Sequence, residues 1–384
     1  MLSVACGLLA SLPAAAQENG IYADFQTSMG TFTCRLDPVH APQATANFIG
    51  LATGARNWIE PGTGGVRREP FYNGAPFHRV IDGFMIQGGS PNGQGTDNPG
   101  FVFPDEFDPA QRHDAPGVLS MANSGPDSNG AQFFVTVAAT PWLNDVHTIL
   151  GRVSSGQEIV NAISKVDTDA DDHPTTPVVL EHVTIRRVGA EAEAFDIDAQ
   201  DLPEVAAVAL GIQPSGNGVA LRYEGAVFAE HLLRSATGLG TWTATSLGVH
   251  LSAPADWTIE RANEGTAGFY SLTQVRYPAT TRAPRDLTGR VLAFAFAEGL
   301  GDLTVTFDAQ GGGAFDYNGT PGTLRGYSWK QAVYRGELWP IEFDGLVPMT
   351  LRLSFADEQT GTFSGTAYTQ PTISVSGSFS LGQP

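Results

Sequence analysis

Two stretches of this 384-residue sequence concentrate residue types that could act on another molecule. The first, FHRVIDGFMIQGG at 77–89, sets Arg79, Phe84, Met85 and Gln87 close together. The second, GVLSMANSGPDSNGAQFFVTVAATPWLNDVHTILG at 117–151, adds Asn123, Gln132, Phe134, Trp142, Leu143 and His147. No nucleophile stands beside a base among them, and His78 and His147 lack the short ligand spacings of zinc motifs. No metal and no cofactor is expected. The set could build an apolar pocket rimmed by amides and one guanidinium, suited to a small apolar ring carried on an extended peptide. Alternation along the first stretch would aim several of its members at one face of a sheet.

Each piece has a plainer reading when taken alone. Phe84, Met85 and Phe134 would be core residues, and Arg79 a surface charge. Cys34, in the alternating run TFTCRL, reads as a small core hydrophobe rather than a nucleophile. DTDADDH at 167–173 begins with the spacing of a calcium loop but lacks its sixth-position Gly and terminal Glu, so it reads as a solvated acidic loop. The glycines between Gly88 and Gly100 lack the Lys-Ser/Thr of a phosphate loop.

The elements that must position these residues are short. Residues 21–36 read as a hairpin turning at Ser28-Met29-Gly30, and PQATANFIGLATG as a helix with Pro42 near its start and Gly54 at its end. A second helix opens with SSGQEIVNAISKV, where Ser155 and Glu158 form a capping box, and 178–188 is a closing strand. Two helices among many short strands predict a closed barrel with helices over its ends. Composition shifts after Val188. Residues 189–218 are acidic and Ala-rich and read as a linker, whereas 219–384 are almost purely period-2 and predict a second all-β domain, a barrel or a sandwich.

Forty acidic against 21 basic residues give a net charge of −19, which repels phosphate backbones and excludes nucleic acid as the expected partner. Residues 1–16, MLSVACGLLASLPAAA, end in an Ala-x-Ala pattern and read as the apolar and cleavage regions of a secretory signal without its charged n-region, so the true start is expected upstream. A lipoprotein signal at Cys6 fits poorly, and a cytoplasmic N-terminus is the alternative. The expected location is periplasmic or secreted, with no integral membrane span. Removal of the signal leaves Cys34 alone, so no intramolecular disulfide is available.

The three blocks FHRVIDGFMIQGG, GVLSMANSGPDSNGAQFFV and WLNDVHTILGRV resemble the signature blocks of the cyclophilins, peptidyl-prolyl cis–trans isomerases, with the likeness running over about 21–188. The resemblance implies an eight-stranded antiparallel barrel capped by two helices over 19–188. It implies Arg79 as the catalytic arginine and Phe84, Met85, Phe134 and Leu143 as walls of a proline pocket. Gln87, Asn123 and Gln132 would position the substrate backbone, with Ala122, Trp142 and His147 at the rim. It further implies proline-containing polypeptides as partners and binding of cyclosporin A. Ser124, Asp97-Asn98 and Leu150 depart from common family residues and bear on substrate preference. In the second domain, Gly240-Thr241-Trp242 resembles the start of the calycin (lipocalin-like) barrels, and Trp242, Trp257, Trp329 and Trp339 could line a cavity, although core packing is the plainer reading. Rival readings are a module that only binds proline peptides, and a C-terminal ligand carrier with the isomerase as accessory.

Overall fold

The computed structural model describes residues 18–215, 218–224, 229–236, 243–250, 257–262, 269–278, 287–332, 335–355, 359–369 and 372–382. The fold is mainly β. Its first part contains β1 (Gly20–Thr27), β2 (Gly30–Leu36), β3 (Trp58–Ile59), β4 (Val66–Arg67), β5 (Ala75–Pro76), β6 (Arg79–Ile81), β7 (Met85–Gly88), β8 (Val118–Met121), β9 (Phe133–Thr136), β10 (Ile149–Ser155) and β11 (Val179–Val188). Nine of these strands form one sheet in the order β5-β11-β1-β2-β10-β8-β9-β7-β6, one more strand than the expected eight, the extra being the two-residue β5. Its two edge strands, β5 and β6, are separated in sequence only by Phe77 and His78. A sheet whose opposite edges are joined by so short a link must curl until those edges adjoin.

Inside the curl, Phe133 packs at ring-centroid distances of 5.4, 5.8, 5.6 and 6.3 Å from Phe25, Phe48, Tyr72 and Phe77. Cys34 is fully buried beside them, and burial pushes its thiol up, as a core hydrophobe rather than a nucleophile requires. Helix α1 (Pro42–Thr53) closes one end, starting on Pro42 and stopping at Gly54, whose φ of 70° ends the helix. No side chain of its own start caps it. Instead the Glu106 carboxylate, far along the chain, accepts the N–H groups of Gln43 and Ala44 at 2.9 and 2.8 Å.

Helix α2 (Gln157–Ile163) forms where expected, but the capping box of Ser155 and Glu158 does not. Ser155 is the last residue of β10, and the N-cap is Gly156 at φ 81°. A Cβ there would lie 2.7 Å from Phe32 Cα and Thr31 O, so only glycine lets the helix start this close to β2.

Residues 189–218 are not the bare linker that their composition suggests. They carry a short helix (Ala190–Ala194) and strands Glu204–Val208 and Gly211–Ser215. The strand 204–208 joins 269–276, 229–236 and 243–250 in a four-stranded sheet, and 211–215 joins 218–223 and 257–262 in a three-stranded one. Long-range pairing decides the strand at 204–208, and local composition does not report it. The same segment and the strand 269–276 it pairs with are fastened to the first part: buried Arg56 donates to Pro203 O at 2.6 Å, Asn57 Nδ2 to Val205 O at 2.8 Å, and Thr273 Oγ1 to Gly64 O at 3.2 Å. Leu202, Val205 and Val275 join the core of the first part.

The last eight strands, from Val291–Phe296 to Ile373–Gly382, close in sequence order into a barrel. Its inward positions are large and buried, among them Phe294, Phe307, Leu351, Phe355, Phe363 and Phe379. Phe294 and Phe363 lie 5.1 Å apart, and Phe355 and Phe379 4.8 Å apart. Side chains therefore fill the interior described, as an eight-stranded barrel permits, and the ligand-carrier reading gains nothing from it. Gly240–Trp242 lies outside the described residues, as do the side chains of Trp257, Trp329 and Trp339.

Candidate active site

The register of three antiparallel pairings brings the predicted residues together. Arg79 on β6 faces Gln87 on β7, Gln87 faces Phe134 on β9, and Phe134 faces Ser120 on β8. Residues directly opposite one another project from the same face of a sheet, so Arg79, Gln87, Phe134 and Ser120 form one row. Met85, two residues from Gln87, shares that face and sits opposite Ile81 and Thr136. The intervening residues Val80, Ile86, Val135 and Leu119 point the other way and are at most 1% exposed in the core. Met85 and Phe134 are also buried, yet neither belongs to the core cluster. They are covered on the opposite side of the sheet.

The cover comes from the turn after β6 and from the loops flanking β8 and β9. Gly83, at φ 72°, makes the tight turn that returns the chain into β7, and Phe84 N–H donates to Ile81 O at 3.1 Å. The Phe84 ring lies 6.0 Å from Trp142, which is 65% exposed and therefore at the rim rather than in a core. Trp142 and Leu143 belong to a single 3-10 turn, Pro141–Leu143, and His147 N–H donates back to Leu143 O at 3.2 Å. The His147 ring stands edge-on to Phe134 at 5.2 Å, and His113 stacks near it at 6.1 Å.

Amides set the polar side. Gln87 Nε2 donates to Gln132 Oε1 at 3.1 Å, and Gln132 Nε2 donates to Gly95 O at 2.8 Å and Asp97 O at 3.2 Å. Both glutamines are thus locked with their oxygen and nitrogen ends distinguished. Asp97, one of the departures from family habit, is buried, and its carboxylate accepts the Asn92 N–H at 2.6 Å and Asn92 Nδ2 at 2.7 Å. It pins the loop that glycines would leave loose. Asn123 Nδ2 donates to Val146 O at 2.8 Å, and Ala122 N–H donates to Gln132 O at 2.9 Å, tying the two rims. Leu150 is a core residue and Ser124 an exposed loop residue.

The histidines here are neutral at pH 7. His147 Nδ1 donates to Met121 O at 2.9 Å, which leaves Nε2 as an acceptor, and burial lowers its pKa. His113, which the sequence reading did not single out, is fully buried. Its ring nitrogens meet Asn144 Oδ1 at 3.2 Å and Ser120 Oγ at 2.8 Å. Burial lowers the pKa of His113 to about 4, and does the same for His78. The unfolded chain, with ordinary imidazoles, therefore binds these protons first. Stability held above pH ~6.5 is lost as the pH falls toward ~4, each group contributing on the order of 3 kcal/mol. Denaturant titrations at pH 7 and pH 4.5 should show a smaller loss in His113→Gln than in the wild type; equal losses would remove His113 from the account.

Among the described residues, Asp169, Asp171 and His173 offer ligand atoms within 4.8 Å of one another in the loop that follows α2. Two open clefts, of about 780 Å³ on the outside of the C-terminal barrel and about 660 Å³ beside Arg35 and His40, lie away from the row of site residues.

Comparison with known proteins follows the same boundaries. Residues 22–185 match the family profile described as cyclophilin type peptidyl-prolyl cis-trans isomerase/CLD. The peptidyl-prolyl cis-trans isomerase A of Mycobacterium tuberculosis (strain ATCC 25618 / H37Rv) is 50% identical over 165 residues, 42% of this chain and 91% of that protein. The isomerase B of Streptomyces anulatus is 48% identical over 168 residues, 43% of this chain and 96% of that one. A peptidyl-prolyl cis-trans isomerase-like 1 of Aspergillus fumigatus is 41% identical over 170 residues, covering 44% and 96%.

Proposed function

The chain belongs to the cyclophilin family of peptidyl-prolyl cis–trans isomerases, and from that premise we propose that the Arg79–Gln87–Phe134 row is its active face, working on X-Pro bonds of exported or periplasmic proteins. The activity needs no covalent step and no cofactor. Rotation about an X-Pro bond faces a barrier of ~18–20 kcal/mol, and exchange without a catalyst takes ~10–100 s. A turnover of ~10 s⁻¹ requires lowering that barrier by roughly 3–4 kcal/mol.

In the twisted state the prolyl nitrogen leaves conjugation and regains a lone pair. A guanidinium aimed at that nitrogen stabilises the twisted form more than either planar form, which is the differential binding that accelerates a reaction. Arg79 fills this role, because a guanidinium carries a permanent charge and fixed donors. Phe84, Met85, Phe134 and Leu143 hold the prolyl ring. Gln87, Asn123 and Gln132 hold the substrate backbone, while Ala122, Trp142 and His147 form the rim. The observation that carries this reading is the cross-strand row, which sets Arg79 in line with Gln87 and Phe134 on one sheet face. The test is an exchange assay on an Ala-Pro peptide with the wild type and Arg79→Ala.

The same pocket is proposed to bind cyclosporin A. Titration should give saturable binding that competes with an Ala-Pro peptide; a flat titration removes the claim. Export is supported by the apolar run and Ala-x-Ala pattern of 1–16. N-terminal sequencing of the protein recovered from its native cells should begin at Gln17, and a retained Met1 would place it elsewhere.

A further inference from the structure

Arg79 has a partner that none of the three signature blocks contains. The Asp172 carboxylate, from the loop between α2 and β11, lies 3.5 Å from Arg79 Nε, the two side chains being 40% and 43% exposed. The contact is an ion pair without a hydrogen bond, and among the described residues neither side chain makes a hydrogen bond or a second ion pair. The closest approach is at Nε rather than at a terminal nitrogen of the guanidinium.

The loop is shaped to hold Asp172 there. Asp172 has φ 65°, a left-handed conformation that costs a non-glycine residue energy and persists only where its surroundings impose it. Its carbonyl accepts the Val80 N–H at 2.9 Å, anchoring the loop to the strand of Arg79 itself. On the loop's other side, the Asp169 carboxylate accepts the N–H groups of Asp171 and His173 at 2.9 and 3.0 Å. Asp172 N–H donates to Asp169 O at 3.2 Å, and a bridge between Thr168 and Pro174 closes the base. A strained residue, held by its backbone to β6 and by its side chain to Arg79, is placed by the fold for that contact.

We propose that Asp172 is a positioning residue for the isomerase reaction, gripping Arg79 through Nε so that its two terminal nitrogens face the substrate. The proposal rests on the reading of Arg79 as the catalytic group. An unanchored arginine spreads over many rotamers, and only a fraction of them aim the fork at the prolyl nitrogen. An exposed pair of this kind biases that distribution by at most about fivefold, so the effect belongs in kcat and is modest.

The experiment compares the wild type, Asp172→Ala, Asp172→Asn, Arg79→Ala and the Arg79→Ala/Asp172→Ala double variant in the full chain. Asp172→Ala should lower kcat about threefold to fivefold with KM little changed. Asp172→Asn, which keeps an oxygen for Nε–H, should fall between it and the wild type. Added salt should slow the wild type toward Asp172→Ala and leave that variant unaffected. In the Arg79→Ala background, removing Asp172 should change nothing further. The proposal is overturned if Asp172→Ala keeps the wild-type kcat and salt response, or loses the same factor without Arg79. If Arg79→Ala itself keeps full rate, the catalytic reading fails and the positioning role falls with it. Should Asp172→Ala melt early, Asp172→Asn alone decides through its salt response.

Discussion

Arg79→Ala is expected to lower kcat/KM on an Ala-Pro peptide by about a hundredfold to a thousandfold, the usual cost of removing one preorganised donor from a developing charge. The melting temperature should hardly move. The Arg79 side chain is 43% exposed and its ion pair is a surface one, so the folded state depends little on it. Arg79→Lys should recover only part of the rate, because an ammonium lacks the planar fork that can grip Asp172 with one edge and present the other. The two effects separate catalysis from folding: a large rate loss in a molecule that unfolds normally assigns the charge to the twisted state. Equal exchange rates in the wild type and Arg79→Ala would sink the mechanism, and the face would then be a binding surface only.

The second large effect is a contrast between neighbours. Phe133→Ala should cost about 3–5 kcal/mol of stability, because it empties the centre of a cluster of four aromatic rings. Phe134→Ala should cost less stability and instead lower kcat/KM by about tenfold to a hundredfold, the penalty for an unfilled apolar subsite. The two residues are adjacent on β9 and project to opposite faces, one into the core and one toward Arg79 and Gln87. Thermal unfolding and exchange kinetics on both variants read the difference directly. If Phe133→Ala proved the catalytically damaged one at wild-type stability, the assignment of faces would be inverted and the site would have to be sought inside the curl.

How far the sequence reaches depends on the range of the interaction involved. The alternation in FHRVIDGFMIQGG was enough to put several of its members on one face of a sheet, because the strand period of two acts over a few residues, whereas Phe134 was placed only by the family resemblance. Pro42 and Gly54 bounded α1 for the same reason, their dihedral limits being local. The capping box at Ser155 looked equally local and did not form, since β2 runs so close to Gly156 that the chain must turn there. Residues 189–218 have a linker's composition and carry strands; the partner of 204–208, at 269–276, lies far along the chain.

Three features of the site lay beyond any local pattern. Glu106 caps a helix through N–H groups 62 and 63 residues upstream. His113 is buried against Ser120 and Asn144 by a loop with no periodicity of its own. Asp172 sits in what read as a solvated acidic loop and reaches Arg79. The sequence by itself determined which side chains share a face and what chemistry they can offer, since both follow from residue type and a two-residue period. Only the tertiary structure decided which distant groups hold those side chains still, because such contacts depend on loop closure and strand register, and no spacing along the chain encodes them.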